Sequence, residues 1–206
     1  MISLGANADE CNARREEARN LRPACCPGCG ATHITGNGWY PRFAAMVGEK
    51  KGIRVKRWEC KGCGGTISQL PDFLHRFRHY MLALIEWVLR ARFEEEQTWQ
   101  QLQITPSLRT ERRWVAAFAA QASHWLRALL TSLAQTQPQL AGLDPHSPVS
   151  PGTSGVSPGR MVLTQGRTFA HWLDPGHAGQ AGLAGQANAL RVLWRWGWNA
   201  AVGRLV

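Results

Sequence analysis

Acidic residues are scarce in this chain, and aspartate is the scarcest of them. The 206 residues include 24 Lys and Arg but only 14 Asp and Glu, which gives a formal net charge of +10. The four aspartates are Asp9, Asp72, Asp144 and Asp174. Because a two-metal catalytic site needs several carboxylates gathered on one scaffold, we expect a protein that is not an enzyme. The charge favours a polyanionic partner, with nucleic acid ahead of a membrane surface.

Long apolar runs and a secretory signal pattern are also missing. The most apolar stretch, 80–89, is ten residues long and contains Glu86, whereas a membrane-spanning helix needs about 20 apolar residues. Residues 1–22 are polar and charged, which predicts a frayed helix or a disordered lead. The six cysteines fit a reducing compartment. We therefore expect a cytoplasmic, nucleoid-associated protein with no membrane partner.

Two copies of the motif Cys-x-x-Cys-Gly occupy residues 26–30 and 60–64, with 30 residues between the two cysteine pairs. Glycines at positions 28, 30, 62 and 64 would allow the tight turns that two ligands three positions apart require. Four thiolates suit a closed, tetrahedral Zn²⁺ site. The alternatives are ordinary buried thiols or a pair of disulfides. The spacing predicts one structural zinc ion bound by Cys26, Cys29, Cys60 and Cys63.

Two cysteines, Cys11 and Cys25, are left over. Cys25 adjoins the first motif, but pairing it with Cys29 would give a Cys-x3-Cys spacing, so Cys26 is the better ligand. A site closed by four thiolates has no open position for water, so the predicted metal is structural and not catalytic.

Residues 23–72 are predicted to form a small zinc ribbon of three short strands, at 32–43, 52–60 and 65–70. In the second strand Ile53 and Val55 alternate with charged residues, the period-2 pattern of a strand with one solvated face. A unit of about 50 residues buries little apolar surface, so we expect the metal to contribute to its folding energy.

Positive charge is concentrated in this ribbon. The residues predicted to contact DNA phosphates, without sequence preference, are Arg54, Lys56, Arg57 and Lys61. Four aromatic residues are interleaved with the basic ones, namely Trp39, Tyr40, Phe43 and Trp58. Such side chains can stack on bases, although in so small a ribbon they are expected first of all to form its core.

After Pro71 the apolar period changes from 2 to about 3.6, which predicts helices. Helix A is expected from 79 to 93, a solvated glutamate link at 94–96, and a short helix B at 99–102. Helix C should open at Thr105 or Ser107 and run to about residue 133. Its apolar stripe comprises Val115, Phe118, Ala122, Trp125 and Leu129.

This order of helices over residues 73–136 predicts a helix-turn-helix bundle. The first turns of helix C are basic. They contain the residues expected to contact base edges and phosphates, namely Arg109, Thr110, Arg112 and Arg113. The alternative is a plain three-helix bundle whose arginines are solvated. Trp114 is expected in the core.

The remainder is low in information. Residues 137–160 are rich in Pro, Gly and Ser and are predicted to be a flexible linker. Residues 161–206 form a tail that carries Trp194, Trp196 and Trp198. We expect this tail to fold back on the helices, since large apolar patches are seldom exposed; the alternative is binding of a partner protein.

Four segments carry a resemblance to a known family: CPGCG at 26–30, WECKGCGGT at 58–66, LPDFLHRFRHY at 70–80 and TPSLRTERRWVAAF at 105–118. The chain resembles a bacterial family of zinc-ribbon plus helix-turn-helix proteins associated with transposable elements. It is also similar to the N-terminal, DNA-binding half of insertion-sequence transposases. The resemblance covers residues 24–133, and the tryptophan-rich tail at 194–199 also looks like the family's C-terminus. It implies that the four motif cysteines bind zinc and that residues 109–114 begin a recognition helix.

The fold class expected from the sequence is α+β and mainly α, with a three-stranded zinc ribbon, a helix-turn-helix unit and a low-complexity tail. The expected function is zinc-dependent binding of double-stranded DNA by a transposition-associated accessory factor or regulator. The alternative function is an adaptor that docks on a transposase or polymerase through the ribbon and the tail.

Overall fold

The computed structural model describes residues 2–75, 79–102, 107–136, 157–173 and 192–193. The chain divides into two compact units, Met1–Leu82 and Ala83–Val206. We call them the sheet unit and the helical unit and describe each by itself.

The sheet unit contains a three-stranded antiparallel sheet in the order β1-β2-β3. The strands are β1 Ile34–Met46, β2 Glu49–Cys60 and β3 Thr66–Gln69. β1 and β2 are joined by a tight hairpin in which Gly48 has a φ of 68°, a left-handed conformation that suits glycine. The predicted three-stranded sheet is thus confirmed, and β1 and β2 extend further toward the hairpin than their sequence pattern indicated.

The N-terminal residues are part of this unit's core. Helix α1 covers Ala8–Ala13, and a 3-10 helix follows at Arg15–Arg19. The side chain of Asn7 caps α1 by accepting the N–H groups of Asp9 and Glu10, both at 3.0 Å. Residues 1–22 were predicted to be a frayed helix or a disordered lead. Part of the segment is helical, but the helix is capped and contributes to the core. Its buried residues are few and, apart from Leu4, small, so the sequence shows no strong apolar stripe.

The core of the sheet unit combines the N-terminal segment with one face of the sheet. The predicted inward residues Ile53 and Val55 are buried, at 2% and 1% exposure. The remaining members of this apolar cluster are Leu4, Ala8, Cys11, Ala18, Ala44, Leu70, Phe73, Leu74 and Met81. The unit therefore has more apolar packing than a ribbon of residues 23–72 would provide.

The described helices of the helical unit are α2 Leu82–Phe93, α3 Leu108–Thr136 and α4 Pro158–Leu173. Along α3, Phe118, Ala122, Trp125 and Leu129 of the predicted stripe are fully buried, as is Trp114. Val115 is only half-buried, because the buried stripe of α3 passes through Trp114 at that turn of the helix. The chain is α+β, with a small antiparallel sheet followed by helices.

A turn lies where the short helix B was predicted. The N–H groups of Gln101 and Leu102 donate to the carbonyl of Thr98 at 3.1 and 3.3 Å, which closes a single turn. Residues 103–106 lie outside the described part of the chain. Within the described residues, α2 is followed by a turn and then by α3, and the helix-turn-helix itself stays a prediction.

Helix α4 overlaps the end of the predicted linker at 137–160, since it begins at Pro158; residues 137–156 are outside the described ranges. α4 packs against α3. Val192 and Leu193 of the tail are buried, and Val192 forms an apolar cluster with Ala170 of α4. This agrees with a tail that folds back on the helices, although Trp194, Trp196 and Trp198 lie outside the described residues.

The glutamates at 94–96 are not all solvated as predicted. Glu94 is 16% exposed and forms ion pairs with Arg90 at 3.3 Å and with Arg167 of α4 at 2.9 Å. Glu96 is paired with Arg160, also of α4, at 3.5 Å. The acidic end of α2 therefore contacts two arginines of a helix far away in sequence, which the local charge pattern could not reveal. Among the described helices, none combines the length and apolarity needed to span a membrane.

Candidate metal centre and basic surfaces

The four motif cysteines lie together at one end of the three-stranded sheet. Their Sγ atoms are all within 4.8 Å of one another. The Sγ atoms of Cys26 and Cys63 are 3.8 Å apart, and those of Cys29 and Cys60 are 3.6 Å apart. Each of these distances joins one cysteine of the first motif to one of the second. The two motifs, 26–30 and 60–64, therefore interlock as the two halves of one sulfur cluster, which we call the cysteine cluster.

The spacing of the sulfur atoms fits a metal ion. In a tetrahedral site with Zn–S bonds of about 2.3 Å, the sulfurs are about 3.8 Å apart. Two of the S···S distances, 3.8 and 3.6 Å, are close to that edge length, and a disulfide would need about 2.05 Å. All four cysteines are free thiols. The four residues could thus hold a metal ion, as predicted, and the alternative of a pair of disulfides is not the arrangement found.

Backbone turns aim the sulfurs in the same way in both motifs. Gly30 donates its N–H to the carbonyl of Cys26, and Gly64 donates to the carbonyl of Cys60, both at 2.8 Å. The two glycines have φ values of 76° and 71°, which a residue with a Cβ would adopt only with strain. These turns reverse the chain directly after the second cysteine of each motif.

The other two motif glycines differ from each other. A Cβ added to Gly62 would be only 2.7 Å from the Cβ of Ala31, so this glycine allows the two motifs to approach closely. At Gly28 the nearest atom is the Sγ of Cys26, at an ordinary 3.8 Å. The prediction that all four glycines serve a left-handed turn is therefore right for two positions, while a third is needed for space.

The thiols influence one another's protonation. The backbone N–H groups of Cys63 and Gly62 lower the pKa of the Cys60 thiol to about 7. At Cys29 the Ala31 backbone acts in the same direction, but the thiols of Cys60 and Cys63 outweigh it and raise the pKa to about 12. Four sulfurs this close can all be thiolates only if a cation offsets their charge, which is what a bound metal ion would supply.

The two leftover cysteines are outside the cysteine cluster. Cys25 is exposed and is not among the four clustered residues, which agrees with the choice of Cys26 as the ligand. Cys11 is buried in the sheet unit. Burial, and secondarily the charge of Asp72, raise the pKa of the Cys11 thiol to about 11, so it behaves as an apolar core residue.

The predicted phosphate-binding residues of the ribbon have different surroundings. Arg54 is exposed. Lys56 lies between two indole rings, with its Nζ 5.3 Å from the Trp39 centroid and 5.0 Å from the Trp58 centroid. The Arg57 guanidinium is 5.4 Å from the Tyr40 ring.

The last member of this set, Lys61, is paired with Glu59 at 2.8 Å. Trp58 belongs to the core, as expected, because it is 5% exposed and donates its indole N–H to Gln69 at 2.8 Å. Phe43 does not belong to the core, since it is 44% exposed. Arg54 and Lys61 are thus the two exposed members of the four predicted cations, and Lys61 is ion-paired.

Three arginines at the start of α3 are exposed. They are Arg109, Arg112 and Arg113, while Glu111 and Trp114 between them are buried. Thr110 is half-buried, and its N–H donates to the carbonyl of Ser107 at 2.7 Å. α3 therefore begins directly after Ser107, which is one of the two predicted start positions. Glu111 is the only acidic residue in α3, so every exposed charge on this helix is positive.

The sequence analysis did not single out Arg92 and Trp99, which lie beside Arg112, one of the residues predicted to contact DNA. The guanidinium of Arg92 is 4.5 Å from the Trp99 ring centroid, and that of Arg112 is 5.6 Å from the same ring. The indole thus joins the end of α2 to the first turns of α3 and restricts Arg112. The available signal was a tryptophan in an otherwise polar turn, Thr98-Trp99-Gln100-Gln101.

A family model described as a domain of unknown function (DUF6431) matches residues 26–114. The matched range begins at the first clustered cysteine and ends at Trp114, so it includes the cysteine cluster, the sheet and the arginines of α3. It covers fewer than half of the 206 residues. No curated protein and no solved structure matches the chain.

Proposed function

We propose that the protein is a zinc-dependent, non-enzymatic DNA-binding protein in which α3 contacts double-stranded DNA. The observation that carries this proposal is the charge on α3, whose exposed charged residues are all arginines. Three of them, Arg109, Arg112 and Arg113, lie within the first two turns. A helix N-terminal end that carries arginines is suited to phosphate and base-edge contacts in the major groove.

The metal in this proposal is a single Zn²⁺ at the cysteine cluster. Four thiolates at tetrahedral spacing are the donor set of a closed structural site. Such an ion supplies folding energy and holds the two motifs together. The phosphate contacts proposed for the sheet unit are made by Arg54, Lys56, Arg57 and Lys61, of which Arg54 and Lys61 are exposed.

The test is duplex binding by a variant with both Arg112→Ala and Arg113→Ala. We expect its affinity for mixed-sequence duplexes to fall at least tenfold, because two phosphate or base contacts of roughly 1–3 kcal/mol each are lost. Fluorescence anisotropy with a labelled duplex gives the affinity. Duplex binding as tight as that of the parent would show that α3 is not the contact surface.

The matched control is Arg127→Ala. Arg127 is an exposed arginine on the same helix, about 21 Å along the axis from Arg113 at 1.5 Å per residue. It should bind duplexes like the parent. Since Arg112 contacts Trp99, the melting temperature of the double variant is measured alongside and should change by no more than a few degrees.

The adaptor function remains the competing proposal. Salt separates the two, because binding to DNA phosphates weakens steeply as salt rises, whereas an apolar contact with a transposase or polymerase does not. The burial of Val192 and Leu193 in the helical unit favours docking of the tail on its own chain. A role in a mobile element rests on the resemblance of the four motif segments, and a selection from random duplexes would show whether one DNA site is preferred.

A further inference from the structure

One face of the β1–β2 hairpin carries charge of a single sign. Side chains along a strand alternate between the two faces of the sheet, so the even-numbered residues of β2 share a face. These even positions include Lys50, Arg54 and Lys56 and no carboxylate, whereas Glu49 and Glu59 are both at odd positions. Between residues 50 and 56 the odd-numbered face packs on the core, through Ile53 and Val55, whereas nearer the cysteine cluster the even-numbered Trp58 and Cys60 are buried.

The opposing strand adds rings to the same face. Trp39 is paired with Lys56, Pro41 with Arg54, and Phe43 with Gly52. Trp39 is half-buried and also packs against the apolar cluster of the sheet unit, whereas Phe43 is exposed. We call this set the outer hairpin face; its members are Trp39, Pro41, Phe43, Lys50, Gly52, Arg54 and Lys56. Phe43 is 44% exposed, which is unusual for a phenylalanine.

Flexible cations cover the rings of this face. The Nζ atom of Lys50 is 4.0 Å from the centroid of Phe43, and Lys56 lies over Trp39. His79 makes a T-shaped contact with Phe43, with the ring centroids 6.3 Å apart and an interplanar angle of 66°. A lysine that lies on an exposed ring can leave it for a phosphate at little cost, because the cation–π contact is weak. A base that then stacks on the ring interacts with it more strongly than the lysine did.

The chemistry of the outer hairpin face selects one class of partner. Duplex DNA offers phosphates but keeps its base faces stacked inside the helix. An acidic peptide offers negative charge without flat aromatic rings. An unpaired nucleic acid strand offers both, and aromatic side chains interleaved with cations are the usual means of binding one.

We propose that the outer hairpin face binds single-stranded nucleic acid, with bases stacked on Phe43 and Trp39 and phosphates on Lys50, Arg54 and Lys56. This deepens the proposed function, on which it rests for the nucleic-acid partner, by naming an unpaired strand as the ligand of the sheet unit. Trp39 and Phe43 are about 13 Å apart along β1, which a site of roughly four nucleotides can span.

The test uses the full zinc-loaded chain and labelled oligothymidine, oligouridine and a duplex, each of about 12 units, a length within the usual site range. Phe43→Ala should weaken binding of the single strands roughly tenfold and leave the duplex affinity unchanged. Phe43→Leu should behave like Phe43→Ala, because it keeps apolar bulk without a ring. Phe43→Trp should bind the single strands about as tightly as the parent, because it keeps an aromatic ring. The thymidine and uridine arms show whether the strand is DNA, RNA or either.

Two controls are matched to these changes. Val47→Ala alters a side chain of similar exposure, 42%, near the hairpin tip but without a ring, and should have no effect. Lys51→Ala removes a cation next to Lys50 that is on the other face and pairs with Asp9 and Glu49. The Lys51→Ala variant should bind like the parent. Arg54→Ala should weaken binding and make the slope of log affinity against log salt concentration about 0.7 less steep.

Single-strand binding that is unchanged in Phe43→Ala would overturn the inference. So would an equal loss of binding in Phe43→Ala and Val47→Ala, or competition by polyglutamate as effective as that by oligothymidine.

Failure of this inference can be told apart from failure of the proposed function. Duplex binding that depends on Arg112 and Arg113, without single-strand binding, overturns the inference alone. Single-strand binding that depends on Phe43, without duplex binding, overturns the role of α3 alone. Absence of both kinds of binding overturns both.

Discussion

The sheet unit and the helical unit bury different kinds of side chain. The core of the helical unit contains large rings that lie along α3, with Trp114, Phe118 and Trp125 fully buried. The sheet unit buries Phe73 and Leu74 together with small residues such as Ala8 and Ala18. The end of its sheet that carries the cysteine motifs holds four sulfur atoms within 4.8 Å of one another.

This difference shows two ways of stabilising a short length of chain. Burial of large rings supplies several kcal/mol per side chain without any ligand. The apolar cluster of the sheet unit includes none of the four motif cysteines, so we expect the end of the sheet that carries the motifs to depend on a cross-link, which a metal ion held by four cysteines would provide. The following changes should affect one unit and spare the other.

The largest effect is expected from loss of the metal. A variant with both Cys29→Ser and Cys60→Ser should bind no zinc and lose several kcal/mol of stability in the sheet unit, since metal binding in small zinc modules is worth roughly 10–16 kcal/mol. Amide hydrogen exchange should increase most at 24–34 and 58–66, while the helices stay protected. Cys25→Ser, beside the cluster but outside it, is the control and should keep one zinc per chain; equal zinc content in both proteins would exclude the metal site.

A core deletion in the helical unit comes next. Phe118 is fully buried and its ring centroid is 5.4 Å from that of Phe93, so Phe118→Ala should cost about 3–5 kcal/mol. The loss is measured by chemical denaturation followed by helical circular dichroism. Leu108→Ala, at an exposed position of the same helix, should cost less than about 0.5 kcal/mol. The zinc content should be unchanged in both variants, and metal loss in Phe118→Ala would mean that the units do not unfold independently.

A smaller effect is expected from a single methyl group in the cysteine motifs. Gly62→Ala places a Cβ 2.7 Å from that of Ala31, and overpacking of this kind costs about 1–3 kcal/mol. Gly28→Ala meets only an ordinary contact at 3.8 Å and should be nearly neutral. Competition with a chromophoric zinc chelator compares the two affinities, and the same affinity in both variants would contradict the close approach of the motifs.

The smallest effect concerns the pH dependence of the helical unit. Burial raises the pKa of Glu111 above its ordinary value of 4.5, and its Oε1 atom has no hydrogen-bond partner within the described ranges. The folded state therefore holds this proton more tightly than the unfolded state, so its contribution to stability is present at acidic pH and is lost as pH rises through the raised pKa.

Glu111→Gln removes this titration. We expect the variant to gain stability over the parent, on the order of 1 kcal/mol, as pH rises from about 4 to 7. Thermal melts of the two proteins across this range give the difference. A constant difference at all pH values would mean that Glu111 does not titrate differently in the folded protein.

Regular spacing made part of this structure predictable. The alternation around Ile53 and Val55 indicated the sheet, the stripe through Phe118 and Trp125 indicated α3, and two copies of one cysteine motif indicated the cluster. These features repeat at a fixed period or spacing, so they are visible in a short window of sequence.

The features that were missed depend on contacts between distant residues. Ala8 and Ala18 are too small to form an apolar pattern, yet they complete the core of the sheet unit. Glu94 is part of an acidic triplet that looks solvated, but Arg167 meets it from a helix more than 70 residues away. Trp99 was assigned to a short helix, but it lies in a turn, where its ring contacts Arg92 and Arg112.

Helix α4 is held by its own contacts as well as by the chain that leads to it. It packs on α3, and its Arg160 and Arg167 pair with Glu96 and Glu94 at the end of α2. A protease cut within residues 137–156 would therefore leave two fragments that stay associated as one folded piece.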